Sequence, residues 1–203
     1  MRRRKNLPDQ WERAHGADEQ QRCPMGLSGG MRRNVEVKAR VRCREEVRKA
    51  AERMGTGPGQ VLEQQDTFFR VPKGRLKLRR TPDGRGELIS YERPDAPGPK
   101  LSRFNITPTA DPDGLEVVLE QALGVLGRVR KQRLLLLLGQ TRLHLDSVEG
   151  LGDFLELEVV LGEGQSPEEG ERLAQGLLRD LGVGEQDLIS GAYLDLLLAR
   201  GGS

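Results

Sequence analysis

The chain has 203 residues, enough for one domain with a sizeable core, and 32% of them are charged although the net charge is only +2. That balance gives no whole-molecule case for nucleic-acid binding, and aromatics at 3% argue against a base-stacking platform. The longest apolar run, residues 134–138, is five leucines, against the roughly 20 residues a membrane-spanning helix needs.

Residues 1–30 are polar, lack periodicity and end in Gly26-Leu27-Ser28-Gly29-Gly30, so they read as a disordered tail ahead of a domain over 31–203. Over residues 34–43 the pattern has period two. Asn34, Glu36, Lys38, Arg40 and Arg42 fall on one face, and Val35, Val37, Ala39, Val41 and Cys43 on the other. This is a strand with one apolar and one charged face. Over 44–54 the period becomes helical through Val47, Ala50, Ala51 and Met54, and Gly55 with Gly57-Pro58-Gly59 ends it. Strands are expected over 65–70, 75–80, 86–93 and 101–107, with Thr81-Pro82-Asp83-Gly84 turning the second into the third. Asp111-Pro112 opens a helix with the apolar stripe Leu115, Val118, Leu119, Ala122, Leu123 and Leu126. A hairpin over 129–146 turns at Gly139, and a last long strand covers 154–161. Ser166-Pro167-Glu168-Glu169 is a capping box, opening a helix that buries Leu173, Leu177, Leu178 and Leu181. A short helix around 193–200 closes the chain.

Most of these strands are charged on one side. Lys77 and Arg79 share a face, as do Glu87, Tyr91 and Arg93; Lys131 and Arg133; Arg142, His144 and Asp146; and Glu156 and Glu158. Any single strand of this kind reads as one side of a half-solvated sheet. The whole set, with amphipathic helices that need an apolar surface to cover, reads as a barrel turned inside out, with charge within and helices outside. The expected fold is α+β: an eight-stranded antiparallel β-barrel, or tunnel, with a charged interior. Buried Lys and Arg need counter-charge, which a bound polyanion can supply. Glu36, Glu156 and Glu158 are hard oxygen ligands suited to Mg²⁺ or Mn²⁺ alongside phosphates. No Gly-x-x-x-x-Gly-Lys-Ser/Thr loop occurs.

Asn34-Val35-Glu36-Val37-Lys38 resembles the Glu-x-Glu-x-Lys signature of the CYTH superfamily, the triphosphate tunnel metalloenzymes, which include class IV adenylate cyclases and thiamine triphosphatases. Leu76-Lys77-Leu78-Arg79, Leu88-Ile89-Ser90-Tyr91-Glu92-Arg93 and Val129-Arg130-Lys131-Gln132-Arg133 resemble its later basic strands. His144-Leu145-Asp146, then Gly150-Leu151-Gly152-Asp153-Phe154 and Glu156-Leu157-Glu158, are closest to the class IV cyclase branch. The resemblance implies a tunnel that binds a triphosphate and a divalent metal, Mg²⁺ or Mn²⁺. It implies metal ligation by Glu36, Glu156 and Glu158, and phosphate binding by Lys38, Lys77, Arg79, Arg93, Lys131 and Arg133, with Arg142 a further candidate. Asp146 would assist the metal or position a nucleophile, so Lys38 and Asp146 are the catalytic candidates. The family's first glutamate is Asn34 here, an amide that can ligate a hard cation but brings no charge.

Three functions are therefore expected in order: a metal-dependent phosphohydrolase acting on a triphosphate compound; a class IV adenylate cyclase making cyclic AMP and pyrophosphate from ATP; and a non-catalytic polyphosphate or nucleotide binder. Cys23 and Cys43 have neither disulfide nor metal-ligand spacing, and the N-terminus has no apolar signal core. The expectation is a cytoplasmic monomer or homodimer whose partner is a small-molecule triphosphate, with no nucleic-acid or membrane partner.

Overall fold

The computed structural model describes residues 31–201. The tail expected over 1–30 lies outside the described residues. In chain order the elements are β1 (Arg32–Arg40), α1 (Arg44–Arg53), β2 (Gln60–Phe69), β3 (Arg75–Arg80), β4 (Gly86–Glu92), β5 (Lys100–Thr109), α2 (Pro112–Leu123), β6 (Val125–Leu138), β7 (Thr141–Val148), β8 (Gly152–Val160), α3 (Pro167–Asp180), β9 (Leu188–Ile189) and α4 (Tyr193–Gly201). Around the sheet the order is β5-β4-β3-β2-β6-β7-β8-β1, and β1 also pairs with β5, which closes an eight-stranded antiparallel barrel. Short β9 adds to β1 at Lys38 and Ala39. No helix among the described residues is long and apolar enough to cross a membrane.

Alternation decides which side chains enter the barrel. Val35, Val37, Leu143, Leu145, Leu155, Leu157 and Val159 point outward, where Val47, Ala50 and Ala51 of α1 and Ala174, Leu177 and Leu178 of α3 cover them in one apolar cluster. The charged residues between them turn inward. Gly170 lets α3 approach β1 closely: a Cβ there would stand 2.8 Å from Val35 Cγ2 and Leu161 Cδ2. Gly170→Ala is therefore expected to destabilise the protein by about 1–3 kcal/mol through overpacking, seen as a lower urea midpoint with unchanged slope.

Several boundaries depart from the sequence reading. The first strand ends at Arg40, and Cys43 is the exposed N-cap residue of α1 instead of a strand residue. Strand β2 begins at Gln60 and β6 at Val125, because each is extended by the other across a long antiparallel ladder. Leu126 accordingly belongs to β6, and Gly124 at φ +75 ends α2. The apolar stripe of α2 is only in part its buried face. Val118 is 61% exposed, whereas Glu116 is buried and anchors the helix by ion pairs to Arg80 (2.7 Å) and Arg128 (2.9 Å). Of the stripe, Val118 and Ala122 face solvent, while Leu115, Leu119 and Leu123 are half-buried beside Glu116. Leu173 of α3 is also exposed, while the capping box at Ser166 and Glu169 forms as expected.

Candidate active site

The registers bring the inward charges face to face. Lys38 pairs with Glu156 across β1 and β8, Glu36 with Glu158, His144 with Glu156 across β7 and β8, Arg142 with Glu158, Arg133 with Asp146 across β6 and β7, and Asp66 with Arg79 across β2 and β3. The side chains then connect these pairs into a network.

Asp146 is its most enclosed member, fully buried and bound on both oxygens. Arg133 Nε and Nη2 donate to its Oδ1 and Oδ2 at 2.6 Å each, Lys131 Nζ to Oδ2 at 3.3 Å, and the Tyr193 hydroxyl to Oδ2 at 2.9 Å. Burial pushes this carboxyl up, but Arg133 and Lys131 together outweigh it and hold it far below the usual range. Glu156 is ion-paired with Lys38 and accepts from Arg133 Nη2 at 2.5 Å. Burial again opposes the charge, and Lys38 and Arg133 keep the group ionised.

Lys77 donates to Asp66 Oδ2 at 2.8 Å, and Arg79 Nε to Asp66 Oδ1 at 2.8 Å. Asp66 was missed by sequence reasoning. Its signal is its place two residues from Phe68, which puts it on the same face of its strand, and the register sets that face beside Lys77 and Arg79. Arg93 lies 3.0 Å from Glu36, with its Nε off the hydrogen-bonding direction. Lys100, also missed, is buried opposite Glu36 and donates to the Ala96 and Ser190 carbonyls. Burial, then Arg93, lower its ammonium to about 8. Burial, then Arg133, lower Lys131 to about 7.

Ligand atoms of His144, Glu156 and Glu158 lie within 4.8 Å of one another. Burial, with Arg133, holds His144 below its ordinary value, so the imidazole is neutral and free to ligate at neutral pH. Two ionised carboxylates and a neutral imidazole are a donor set a divalent ion can take, the oxygens suiting Mg²⁺ or Mn²⁺. The sequence expectation for a metal is Glu36, Glu156 and Glu158, with Asp146 assisting. Glu36 is turned to Arg93 and Asp146 to Arg133, Lys131 and Tyr193. Arg142 stands 3.7 Å from Glu158.

The end of the barrel beyond Lys38 is closed by the C-terminal segment. The Tyr193 ring lies 4.9 Å from that of Phe154, with Lys38 Nζ 4.6 Å and Lys131 Nζ 5.3 Å from its centroid. Phe68, Val129, Val148 and Leu194 complete this apolar floor, and Arg75 holds the helix start by an ion pair to Asp195 at 3.0 Å.

A family model for the CYTH domain matches residues 32–193. The chain belongs to the CYTH domain family. Among solved structures, this CYTH domain is similar to a protein of Pyrococcus horikoshii at 28% identity, with a TM-score of 0.72 over 80% of this chain and 98% of that one. It is similar at 19% identity to a candidate adenylate cyclase from Vibrio parahaemolyticus, with a TM-score of 0.68 over 81% of this chain and 97% of that one. A candidate adenylyl cyclase from Hippeastrum, described as having a dominant triphosphatase activity, matches at 19% identity with a TM-score of 0.55, over 84% and 96% of the two chains. No curated protein matches the sequence. At 19% identity the last two likenesses concern the fold alone.

Proposed function

We propose that this CYTH domain is a metal-dependent triphosphatase. One observation carries the reading: inside the closed barrel, Lys38, Lys77, Arg79, Arg93, Lys100, Lys131, Arg133 and Arg142 outnumber the carboxylates of Glu36, Asp66, Glu87, Asp146, Glu156 and Glu158. Positive charge left in excess out of water is costly, and a chain of phosphates relieves that cost. Lys and Arg on several strands give such a chain contacts along its length, and carboxylates, or for Lys100 backbone carbonyls, hold these cations in place before the anion arrives.

Phosphoryl transfer asks the protein chiefly for positioning and charge stabilisation. Lys38, Lys131 and Arg133 would take the non-bridging oxygens of one phosphoryl group, and Lys77 and Arg79 those of a neighbour. Water oxygen would form a bond to the terminal phosphorus as the bridging P–O bond breaks, the diphosphate end of the chain leaving with the electron pair, the attacked group becoming orthophosphate and the water's proton passing to the phosphate products or to solvent. A divalent ion held by Glu156, Glu158 and His144 would neutralise phosphate charge and polarise a phosphoryl oxygen. The activity described for the Hippeastrum protein is consistent with this reading.

Adenylate cyclisation is the second reading, favoured by the segment from His144 to Glu158 that resembles the class IV cyclase branch. The two differ in which phosphorus meets the nucleophile. The test is product identification by ion-exchange chromatography after incubation with Mg²⁺ or Mn²⁺ and inorganic triphosphate, thiamine triphosphate or ATP. Orthophosphate release supports the triphosphatase, and cyclic AMP with pyrophosphate overturns it in favour of the cyclase. Bound triphosphate with no turnover leaves a binder and points to Asn34.

The reading also sets a pH dependence. Lys131, lowered to about 7, is charged below that pH and increasingly neutral above it. A phosphate favours the charged form, so triphosphate affinity is expected to weaken with rising pH, by up to about tenfold per unit above 7. Binding should take up a proton, measurable by calorimetry in buffers of different ionisation enthalpy. Lys131→Met should abolish that uptake.

A further inference from the structure

Helix α2 carries apolar side chains on two faces. Toward the barrel lie half-buried Leu115, Leu119 and Leu123, beside buried Glu116. Away from it stand Val117 at 55% exposure and Val118 at 61%, with exposed Ala122 one turn beyond Val118. A helix that only covers a sheet is polar on its far side. Valine is also a poor helix former, so in water at these two positions it costs helix stability and gains no packing. Gly114, Val117, Val118, Gln121 and Ala122, all exposed, recur at three- and four-residue spacing and make one continuous surface along the helix.

Neighbouring exposed apolar side chains with a charged rim mark an interaction surface, and here the rim shows what covers it. At the N-terminal end Asp111 is the N-cap and the Asp113 side chain is 83% exposed, with one oxygen on Arg80 at 2.8 Å, so acid exceeds base. At the C-terminal end Arg128 stands 3.9 Å from Glu120, and Arg70 is exposed with its Cδ 3.6 Å from where a Cβ on Gly124 would lie, so base exceeds acid. Buried Glu116 sits between the two ends and holds Arg80 and Arg128 alike.

Such a surface is complementary to itself when reversed. Turning a second α2 antiparallel about the midpoint between Val117 and Val118 sets Gly114 opposite Gln121 and Val117 opposite Val118. It also carries Asp113 of one copy to the Gly124 end of the other, where Arg70 lies. Asp113 and Gly124 project from the same flank of the helix, so the opposite charges meet on one side of the contact. A two-fold axis makes each pairing occur twice.

We infer that the outer face of α2 is a self-association surface, on which a second copy of this chain docks its own α2 antiparallel. A like copy is the partner because it brings both the same apolar stripe and the opposite charge at each end. The inference uses no side chain of the barrel interior, so it stands apart from the triphosphatase reading. The helix has 12 residues and is therefore about 18 Å long, so the contact is small and the dimer weak, with a Kd on the order of 10–100 µM.

The test is sedimentation velocity of the full chain at concentrations from well below to well above that Kd, with thermal melts of the dilute proteins to show that each variant folds. Monomer is expected to give way to dimer as concentration rises. Val117→Glu, at an exposed position, sets like charges against each other across the two-fold axis and should raise the Kd about tenfold or more. Asp113→Arg and Arg70→Asp should each weaken association about threefold or more, and the two together should bring it back to within about twofold of the parent. That recovery would not follow if either residue acted only within its own chain. A chain that stays monomeric throughout overturns the inference, and so does a dimer that is indifferent to Val117→Glu or is not recovered by the paired charge swap.

Discussion

Glu158→Gln is expected to lower kcat about 10²–10³-fold while leaving the melting temperature within about 2 °C of the parent. The carboxylate belongs to the His144–Glu156–Glu158 group, and among the described residues its ion-pair partners are Arg142 at 3.7 Å and, if protonated, His144 at 3.9 Å. Burial pushes Glu158 up, but nearby positive charge, that of Arg133 and Arg142 included, holds it below its ordinary value, so glutamine removes a charge that is present at neutral pH. The amide has the same shape and strands no buried ion, so the barrel should stand. The checks are phosphate release and Mn²⁺ titration by calorimetry, the second independent of turnover. Full activity with undiminished Mn²⁺ affinity would remove Glu158 from the site.

Asp146→Asn is expected to act in the opposite manner, chiefly on stability. The carboxylate is fully buried and holds Arg133, Lys131 and the Tyr193 hydroxyl together. Removing one partner of a buried ion pair costs about 3–5 kcal/mol, which for a domain of this size lowers the melting temperature by about 10 °C. Because the folded carboxyl is held far below its ordinary value, its contribution is fully present above about pH 4 and is lost as pH falls further. The difference between parent and variant should therefore be greatest near neutral pH and shrink in acid. Thermal melts at several pH values test this. An unchanged melting temperature with lost metal affinity would make Asp146 an ion ligand, as the family resemblance implies.

Both predictions depend on details that alternation could not give. Period-two patterning places Glu36, Lys38, Lys77, Arg79, Lys131, Arg133, His144, Asp146, Glu156 and Glu158 on charged faces, and the register confirms that their faces meet inside the barrel. It cannot say which carboxylate serves which cation. Asp146 is taken up by Arg133 and Tyr193, and Glu36 by Arg93, because those partners arrive from strands and a helix far away in the chain. Tyr193 lies 47 positions from Asp146. Asp66 lies inside the strand expected over 65–70, but its ion pairs with Lys77 and Arg79 follow from the register of β2 against β3, which alternation does not give.

By itself, then, the sequence determined the inside-out barrel. A strand residue has only two faces to choose from, and helices with apolar stripes had to cover the apolar one. It also marked the helix starts at Pro112 and Ser166, where capping is local chemistry. Only the tertiary structure decided the grouping of His144 with Glu156 and Glu158, the anchoring of α2 by the Glu116 ion pairs, and the closing of one end by Tyr193. Each of these is a competition between charged or apolar partners distant in sequence. Its winner is set by distance and desolvation in the folded barrel, which no local pattern encodes.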